Sequence, residues 1–138
     1  MNQAMGLFSR DNDAAPCRIV IIDDDFTCRC WLRGLVTHIG FSVVGEADNG
    51  DEGIEVVAST KPDVVLLDVS MPVKTGAMAL PEIRRVHPGA RVVMLTSIAD
   101  QVTVMDCIDK GASNYLLKSS DAEEIKQALV ELRDECAH

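Results

Sequence analysis

The sequence contains no apolar run that approaches the roughly 20 residues of a membrane-spanning helix. Its first residues, MNQAMGLFSRDNDAAP, lack the apolar core of a secretory signal peptide. Basic residues are also scarce, since 13 Lys and Arg stand against 22 Asp and Glu, for a formal net charge of -9. Because such a surface repels the phosphate backbone of nucleic acids, we expect no direct nucleic-acid binding. From the missing apolar segments we expect no membrane association and a cytoplasmic location.

Cysteine is present, but in a pattern that suits neither a disulfide framework nor a zinc site. The five cysteines are an odd number at scattered positions, unlike the even sets of small secreted proteins. Cys28 and Cys30 lie two residues apart on a predicted helix, so their side chains point to nearly opposite sides. We therefore expect Cys28 in the core, Cys30 on the surface, and the other three cysteines as free thiols.

The chain divides into a short tail and one domain. Residues 1–16 are polar and aperiodic, which predicts a flexible N-terminal tail. Residues 17–138, in a chain with 47% apolar residues, suit one compact domain with a single core.

Short apolar segments alternate with amphipathic segments along that domain. The apolar runs predict buried parallel strands, and the segments between them predict helices that cover both faces of the sheet. We therefore predict an α/β fold, a single (βα)5 unit with a doubly wound, five-stranded parallel sheet. The predicted strands are RIVII, FSVVGEA, DVVLLD, RVVML and NYLL, and the predicted helices span 27–39, 51–60, 80–87, 101–110 and 121–135.

The helix boundaries follow from local signals. Asp25 is placed to cap the first helix, and Gly40 is placed to end it. Pro81 fits best in a first turn, so we expect the third helix to begin near Leu80 or to bend there. The apolar stripe of the first helix comprises Cys28, Trp31, Leu32, Leu35 and Ile39, and that of the last comprises Ile125, Ala128, Leu129 and Leu132, with Ser120 and Glu123 at the spacing of a capping box.

Polar side chains follow the strands at the edge where ligands bind in open parallel sheets. Asp23 and Asp24 follow the first strand, Asp68 the third, Thr96 the fourth and Lys118 the fifth. A right-handed fold that brings the first and third strands together would place at least three carboxylates within one small volume. Their repulsion favours a hard cation, Mg²⁺ or Mn²⁺, and a carboxylate beside such an ion can attack phosphorus.

Four segments, IVIIDDD, VVLLDVSMPVKTG, VVMLTS and GASNYLLKS, together resemble the receiver domain of bacterial two-component response regulators. The resemblance runs from about residue 17 to residue 136. It implies the CheY-like, flavodoxin-like sheet with strand order 2-1-3-4-5. It also implies a phosphoprotein that takes part in phosphorelay signal transduction rather than an enzyme with turnover.

The resemblance implies a role for each residue of the acidic site. Asp68 matches the phosphoacceptor, Asp24 the acid that binds the metal directly, and Asp23 the acid that reaches it through water. Ser70 matches the position whose backbone carbonyl completes the protein ligands.

The resemblance extends to a conformational switch. Thr96 and Lys118 match the pair that contacts the phosphoryl oxygens, and Tyr115 matches the aromatic residue whose rotation accompanies the shift of Thr96. The surface of the fourth helix, fifth strand and fifth helix would then control an output. The implied partner is a sensor histidine kinase or a phosphotransfer protein, and a homodimer on phosphorylation is compatible with the family.

Two features depart from the family pattern. Val73, Lys74 and Thr75 stand where relatives usually carry a Gly-rich or acidic turn, which implies a loop that is less mobile or differently charged. Ser119 follows Lys118 where many relatives have a proline with a cis bond. A cis bond to a non-proline residue costs about 2.5 to 4 kcal/mol, so the isomer stays open at this stage.

Several alternatives remain beside this interpretation. The sequence is most similar to the NarL, FixJ and LuxR-type branch, whose members often carry a DNA-binding helix-turn-helix domain, so the chain is either a single-domain regulator or a piece of a transcription factor. A phosphatase with an Asp nucleophile would need an acid where Ser70 stands. A flavodoxin-like cofactor module would need a phosphate-binding loop where three aspartates stand. A phosphorylation-independent interaction module predicts the loss of site residues, and all are present.

Overall fold

The computed structural model describes residues 15–136. The predicted flexible tail, residues 1–16, lies outside the described residues except for its last two. Ten elements alternate strictly between strand and helix. In chain order they are β1 (Arg18–Ile22), α1 (Phe26–His38), β2 (Ser42–Ala47), α2 (Gly50–Thr60), β3 (Val64–Leu67), α3 (Gly76–Val86), β4 (Arg91–Thr96), α4 (Gln101–Asp109), β5 (Asn114–Leu117) and α5 (Ala122–Cys136).

The five strands form one parallel sheet in the order β2-β1-β3-β4-β5, which confirms the predicted fold class and strand order. Alternate residues of β1 point to opposite faces. Ile19 and Ile21 belong to a core cluster that includes buried residues of α1 and α5. Val20 and Ile22 belong to a second cluster that includes buried residues of α2, α3 and α4. Both faces of the sheet are therefore covered, as the continuous apolar runs predict.

Helix α3 begins four residues before the predicted position. Thr75 caps it by accepting a hydrogen bond from the amide of Met78 at 3.2 Å, and Pro81 lies inside the helix. Proline lacks an amide hydrogen and leaves the carbonyl four residues earlier without its helical donor. That carbonyl belongs to Ala77, and it accepts a hydrogen bond from Nζ of Lys110 at 3.3 Å. The expectation of a start near Leu80 was wrong, since Lys110, directly after α4, compensates for the proline.

The other helices begin and end within one residue of prediction, but one detail of α1 differs. Asp25 caps α1 as expected, accepting from the amide of Cys28. Trp31 is 46% exposed, so its placement in the apolar stripe was wrong. The buried line of α1 is centred on Leu32 and Val36 instead, and this leaves Trp31 on the flank of the helix.

The start of α5 also corrects the predicted cap. The helix begins at Ala122, and the side chain of Asp121 accepts a hydrogen bond from the amide of Glu123 at 3.2 Å. Ser120 instead donates its own amide to the carbonyl of Leu117 in a turn. Asp121 is the better acceptor because its charged carboxylate is attracted to the exposed amides of the first turn.

The expectation of free thiols fails for two of the five cysteines. Cys17 and Cys136 form a disulfide with a Cα–Cα distance of 5.9 Å. Their separation of 119 residues is invisible to local sequence patterns. Cys30 is exposed and Cys107 is a free thiol, as the sequence predicts, whereas Cys28 packs against the core but is only half-buried.

No helix within residues 15–136 is both long enough and apolar enough to cross a bilayer.

Candidate functional site

The structure brings the three predicted carboxylates together at the carboxyl edge of the sheet. Asp23 and Asp24 follow β1, and Asp68 follows β3, which pairs directly with β1. The amide of Asp68 donates to the carbonyl of Ile22 at 3.0 Å, so the strand pairing continues to the site itself. One carboxylate oxygen from each aspartate lies within 4.8 Å of the others.

The three aspartates differ in how far they are buried. Asp23 is 2% exposed and Asp68 is 4% exposed, whereas Asp24 is exposed. Oδ1 of Asp23 accepts from the amide of Asp25 at 2.8 Å, and Oδ1 of Asp68 accepts from the amide of Ser70 at 3.3 Å. These bonds orient the two buried carboxylates, whereas the carboxylate of Asp24 is exposed to solvent.

Asp68 lies where its negative charge is disfavoured. Burial raises the pKa of Asp68 above its usual value of 3.8, and the nearby carboxylate of Asp23 raises it further. The charge of Lys118 and hydrogen bonds from Thr96 and Ser70 oppose this shift without cancelling it. A second positive charge at the site would favour the ionised, nucleophilic form.

Lys118 links the two buried aspartates. Its Nζ lies 2.7 Å from Oδ2 of Asp23 and 3.4 Å from Oδ2 of Asp68. Burial alone would lower the pKa of Lys118, but the hydrogen bond to Asp23 and the charges of both aspartates raise it above its usual range. The ammonium therefore stays charged and lies beside the oxygen atoms of Asp68. The peptide bond after Lys118 is trans, as are all the described peptide bonds.

Thr96 and Tyr115 are connected through a residue that the sequence analysis did not single out. The amide of Ile98 donates to Oγ1 of Thr96 at 3.3 Å, and the carbonyl of Ile98 accepts from the hydroxyl of Tyr115 at 2.6 Å. Thr96 is fully buried. A rotation of its hydroxyl would thus break a bond to the same residue that holds Tyr115.

The loop between β3 and α3 is tied to α2. Nζ of Lys74 lies 3.2 Å from Oδ1 of Asp51 and 2.5 Å from Oε2 of Glu82, and its carbonyl accepts from the amide of Gly50. Val73 has φ of 69°, in the left-handed region that a β-branched residue rarely adopts. The loop that departs from the family pattern is thus held in place by the contacts of Lys74 with α2.

Gly76 is a second residue whose importance the sequence analysis missed. A Cβ at this position would lie 1.9 Å from the carbonyl oxygen of Asp68, so only glycine allows the start of α3 to approach the acceptor strand so closely. The signal was available, since this glycine ends the quoted segment VVLLDVSMPVKTG.

A cavity of about 260 Å³ lies next to the site, between α1 and α5. Cys28, Trp31 and Lys118 are among the residues that line it. Burial, followed by the charge of Asp23, raises the pKa of the Cys28 thiol to about 11, so this thiol stays protonated near neutral pH. Trp31 is the only tryptophan of the chain, and its position makes it a natural optical probe of the site.

The acidic cluster fits a hard divalent cation. Three carboxylates cluster together, two of them are buried, and the ammonium group of Lys118 contacts only those two, so negative charge is in excess in a region of low dielectric. Oxygen-only donors around a partly open position match the preference of Mg²⁺ for one or two carboxylates, waters and phosphate oxygens.

Known proteins are similar to this chain in sequence. Chemotaxis protein CheY of Thermotoga maritima is 33% identical over 112 residues, which cover 81% of this chain and 93% of that protein. Nitrate/nitrite response regulator protein NarL of Escherichia coli K12 is 35% identical over 115 residues, 83% of this chain but only 53% of NarL.

Solved structures of response regulators match the fold of this chain. The CheX-CheY-BeF3-Mg²⁺ complex of Borrelia burgdorferi matches with a TM-score of 0.80 at 28% identity, over 85% of this chain and 89% of that one. A LuxR-family two-component response regulator from Aurantimonas sp. SI85-9A1 matches with a TM-score of 0.81 at 30% identity, over 88% and 87% of the two chains. The family model described as the response regulator receiver domain matches residues 19–130. This chain belongs to the response regulator receiver domain family.

Proposed function

We propose that this chain is a phosphoacceptor receiver domain in which Asp68 accepts a phosphoryl group from a histidine kinase or a phosphotransfer protein. The observation that carries the proposal is the meeting of three carboxylates and Lys118 at one edge of the sheet, with Asp68 buried beside the ammonium group. The family membership supports the same assignment.

The site residues divide into metal ligands and groups that act on the phosphoryl oxygens. Asp24 would hold Mg²⁺ or Mn²⁺ directly, Asp23 through water, and Asp68 and the backbone carbonyl of Ser70 would complete the protein ligands. The bound ion supplies neutralisation of the charge that gathers on the phosphoryl oxygens. The metal named in the Borrelia burgdorferi complex supports the choice of ion.

The chain's own residues perform the transfer. One carboxylate oxygen of Asp68 attacks phosphorus in line, so that an acyl phosphate bond forms as the bond from phosphorus to the donor breaks. Lys118 exchanges its contact with Asp68 for a phosphoryl oxygen, and it keeps Asp23 as its other partner. The hydroxyl of Thr96, which donates a hydrogen bond to Asp68, would redirect that bond to another phosphoryl oxygen.

The movement of Thr96 would reach the surface through Tyr115. Because Ile98 bonds to both Thr96 and Tyr115, a shift of the threonine changes the position of the aromatic side chain. We assign the output surface to α4, β5 and α5, a two-state element biased by phosphorylation. On α4 this surface exposes Val102, Met105 and Ile108, which suits a partner or a second copy in a homodimer on phosphorylation.

We place the domain in the cytoplasm. We also assign it as a signalling module rather than an enzyme with turnover, since Ser70 stands where an Asp-based phosphatase carries its general acid. The domain produces its output in the manner of one of two kinds of relative, a single-domain protein or a longer regulator. CheY is covered by this chain almost completely, whereas this chain spans about half the length of NarL. The domain thus acts alone or controls transcription through a further domain.

Two-dimensional NMR with beryllofluoride and Mg²⁺ tests the function as a whole. Beryllofluoride mimics a phosphoryl group on a carboxylate, so we expect the largest amide shifts at residues 98–110 and 115–119, which contain the proposed switch. Asp68→Asn is the matched control and should show none of these shifts. Shifts confined to the loop beside Asp68, or shifts that persist in the variant, would contradict the proposed switch.

A further inference from the structure

We propose that Cys17 and Cys136 form a reversible thiol–disulfide pair, which locks the carboxyl end of α5 to the start of β1 when oxidised and releases it when reduced. The bond is present in the structure. Disulfides are uncommon in the cytoplasm that we propose for this domain, and those found there are usually redox-responsive. A reversible pair fits both observations.

The fold itself brings the two sulfur atoms together. Cys17 precedes β1 and lies in the same core cluster as Ile19 and Ile21, on the face that α1 and α5 cover. Cys136 continues the buried stripe of α5 after Leu129 and Leu132 and packs against the same cluster. Because their positions follow from the packing of the sheet and the helix, the reduced chain holds both thiols ready to pair.

The last turn of α5 has few other attachments. Leu132 is the last buried side chain of the helix. Beyond it, Nη1 of Arg133 donates to the carbonyl of Ile39 at 2.7 Å, and Glu135 pairs with Arg91 between two side chains that are about half exposed. Exposed ion pairs contribute little stability. Loss of the disulfide therefore removes the strongest restraint on this turn.

The two cysteines differ in access. Cys17 is 6% exposed, whereas Cys136 is only half-buried, so a small reagent reaches Cys136 first. The oxidant is a low-molecular-weight disulfide. The Cys136 thiolate attacks it and releases one small thiol, and the Cys17 thiolate then attacks the mixed disulfide and releases the second. Two thiols of the protein lose two protons and two electrons in all, and the small disulfide becomes two thiols.

The bond lies at the end of the sheet opposite to the acidic site. Cys17 precedes the amino end of β1, while Asp68 follows the carboxyl end of β3. Helix α5 also belongs to the output surface proposed above. The pair would thus add a redox input to that surface and leave the phosphoacceptor chemistry unchanged.

A metal site is the competing use of these cysteines. A carboxylate oxygen of Asp63 lies within 4.8 Å of both sulfur atoms, so a reduced pair with Asp63 could offer three ligands to Zn²⁺. We favour the disulfide because structural zinc sites are closed by four protein ligands, and Asp63 already accepts a hydrogen bond from the amide of Arg18 at 2.9 Å.

The test combines intact mass with hydrogen exchange on the full chain. Apart from any glutathione added at the exposed Cys30, incubation of the reduced protein with oxidised glutathione should lower its mass by two hydrogens, and peptide mapping should join Cys17 to Cys136. Reduction with dithiothreitol should reverse this and speed amide exchange in the last turn of α5 by roughly tenfold or more, with no change in the loop beside Asp68. Cys136→Ser should match the reduced state, and Cys30→Ser should behave as the parent.

Three results would overturn the proposal. The first is a bond that forms with another cysteine or does not form. The second is equal exchange of α5 in both redox states. The third is a reduced chain that binds one equivalent of Zn²⁺ only when Cys136 is present and then resists oxidation. Since no arm of this test uses phosphorylation, it stands apart from the test of the proposed function.

Discussion

Asp68 carries its charge at a position where burial and the carboxylate of Asp23 both oppose ionisation. A carboxylate whose pKa is raised in the folded state lowers stability at every pH above that pKa, and the cost disappears as pH falls toward the usual value of 3.8. In the absence of metal, Asp68→Asn should therefore raise the free energy of unfolding at pH 7 by on the order of 1 kcal/mol. Urea denaturation measures this difference.

The sign of the pH dependence makes this prediction specific. The gain from Asp68→Asn should be largest near neutral pH and should shrink as pH falls through the raised pKa of Asp68. Glu55→Gln removes an exposed carboxylate from α2 and serves as the control, with little expected change. A variant that is less stable than the parent at pH 7 would show that the contact of Asp68 with Lys118 outweighs its desolvation.

Metal affinity should depend on pH for the same reason. Protons compete with Mg²⁺ for Asp68 at a higher pH than they would for an ordinary carboxylate, because burial and Asp23 raise its pKa. The fluorescence of Trp31, which lines the cavity that includes Lys118, can follow a Mg²⁺ titration. We expect the affinity to begin falling at a higher pH than it would if Asp68 had the usual carboxylate pKa of 3.8.

Asp24→Asn supplies the matching variant. It removes the exposed carboxylate that we assign to direct coordination, so Mg²⁺ affinity should fall by roughly tenfold or more, which corresponds to about 1.4 kcal/mol. An affinity that stays constant between neutral pH and pH 4, or that survives the loss of Asp24, would count against the cluster as a metal site.

Among the elements, α3 depends most on a single small residue. Gly76 lets the first turn of α3 approach the carbonyl oxygen of Asp68, where a Cβ would lie 1.9 Å away. Gly76→Ala should force the loop to move and should lower the free energy of unfolding by about 1–3 kcal/mol. Mg²⁺ binding should weaken as well, because the acceptor strand must shift.

Gly34→Ala is the control for that substitution. Gly34 lies on the exposed side of α1 with open space around it, so alanine should stabilise the helix by up to about 1 kcal/mol. Equal effects of the two substitutions in thermal denaturation would show that the close approach at Gly76 has no energetic consequence.

The elements also show how far local sequence patterns reach. Alternating apolar runs were enough for five strands, and the amphipathic segments between them placed four helices within one residue. The start of α3 was not predicted because Pro81 is a local signal, while the donor that compensates for it, Lys110, lies directly after another helix. The exposure of Trp31 was not predicted, because the spacing of apolar residues along a helix does not show which side of the apolar stripe borders the solvent.

At the scale of the molecule, topology was predictable and long-range pairing was not. The acidic cluster follows from strand order, since β1 and β3 are neighbours and their carboxyl ends meet. The disulfide joins residues 119 positions apart, and its recognition requires knowing that α5 packs across the start of β1. The bridge through Ile98 likewise depends on backbone atoms, which side-chain patterns do not reveal.

The central claim is that Asp68 is a phosphoacceptor, and intact-mass measurement with acetyl phosphate and Mg²⁺ tests it most directly. We expect the parent to gain the mass of one phosphoryl group, to lose this gain when Mg²⁺ is chelated beforehand, and to consume the donor only slowly afterwards. Asp68→Asn should remain folded and unmodified. A variant that is phosphorylated at the rate of the parent, or a parent that rapidly consumes many equivalents of donor, would contradict the account.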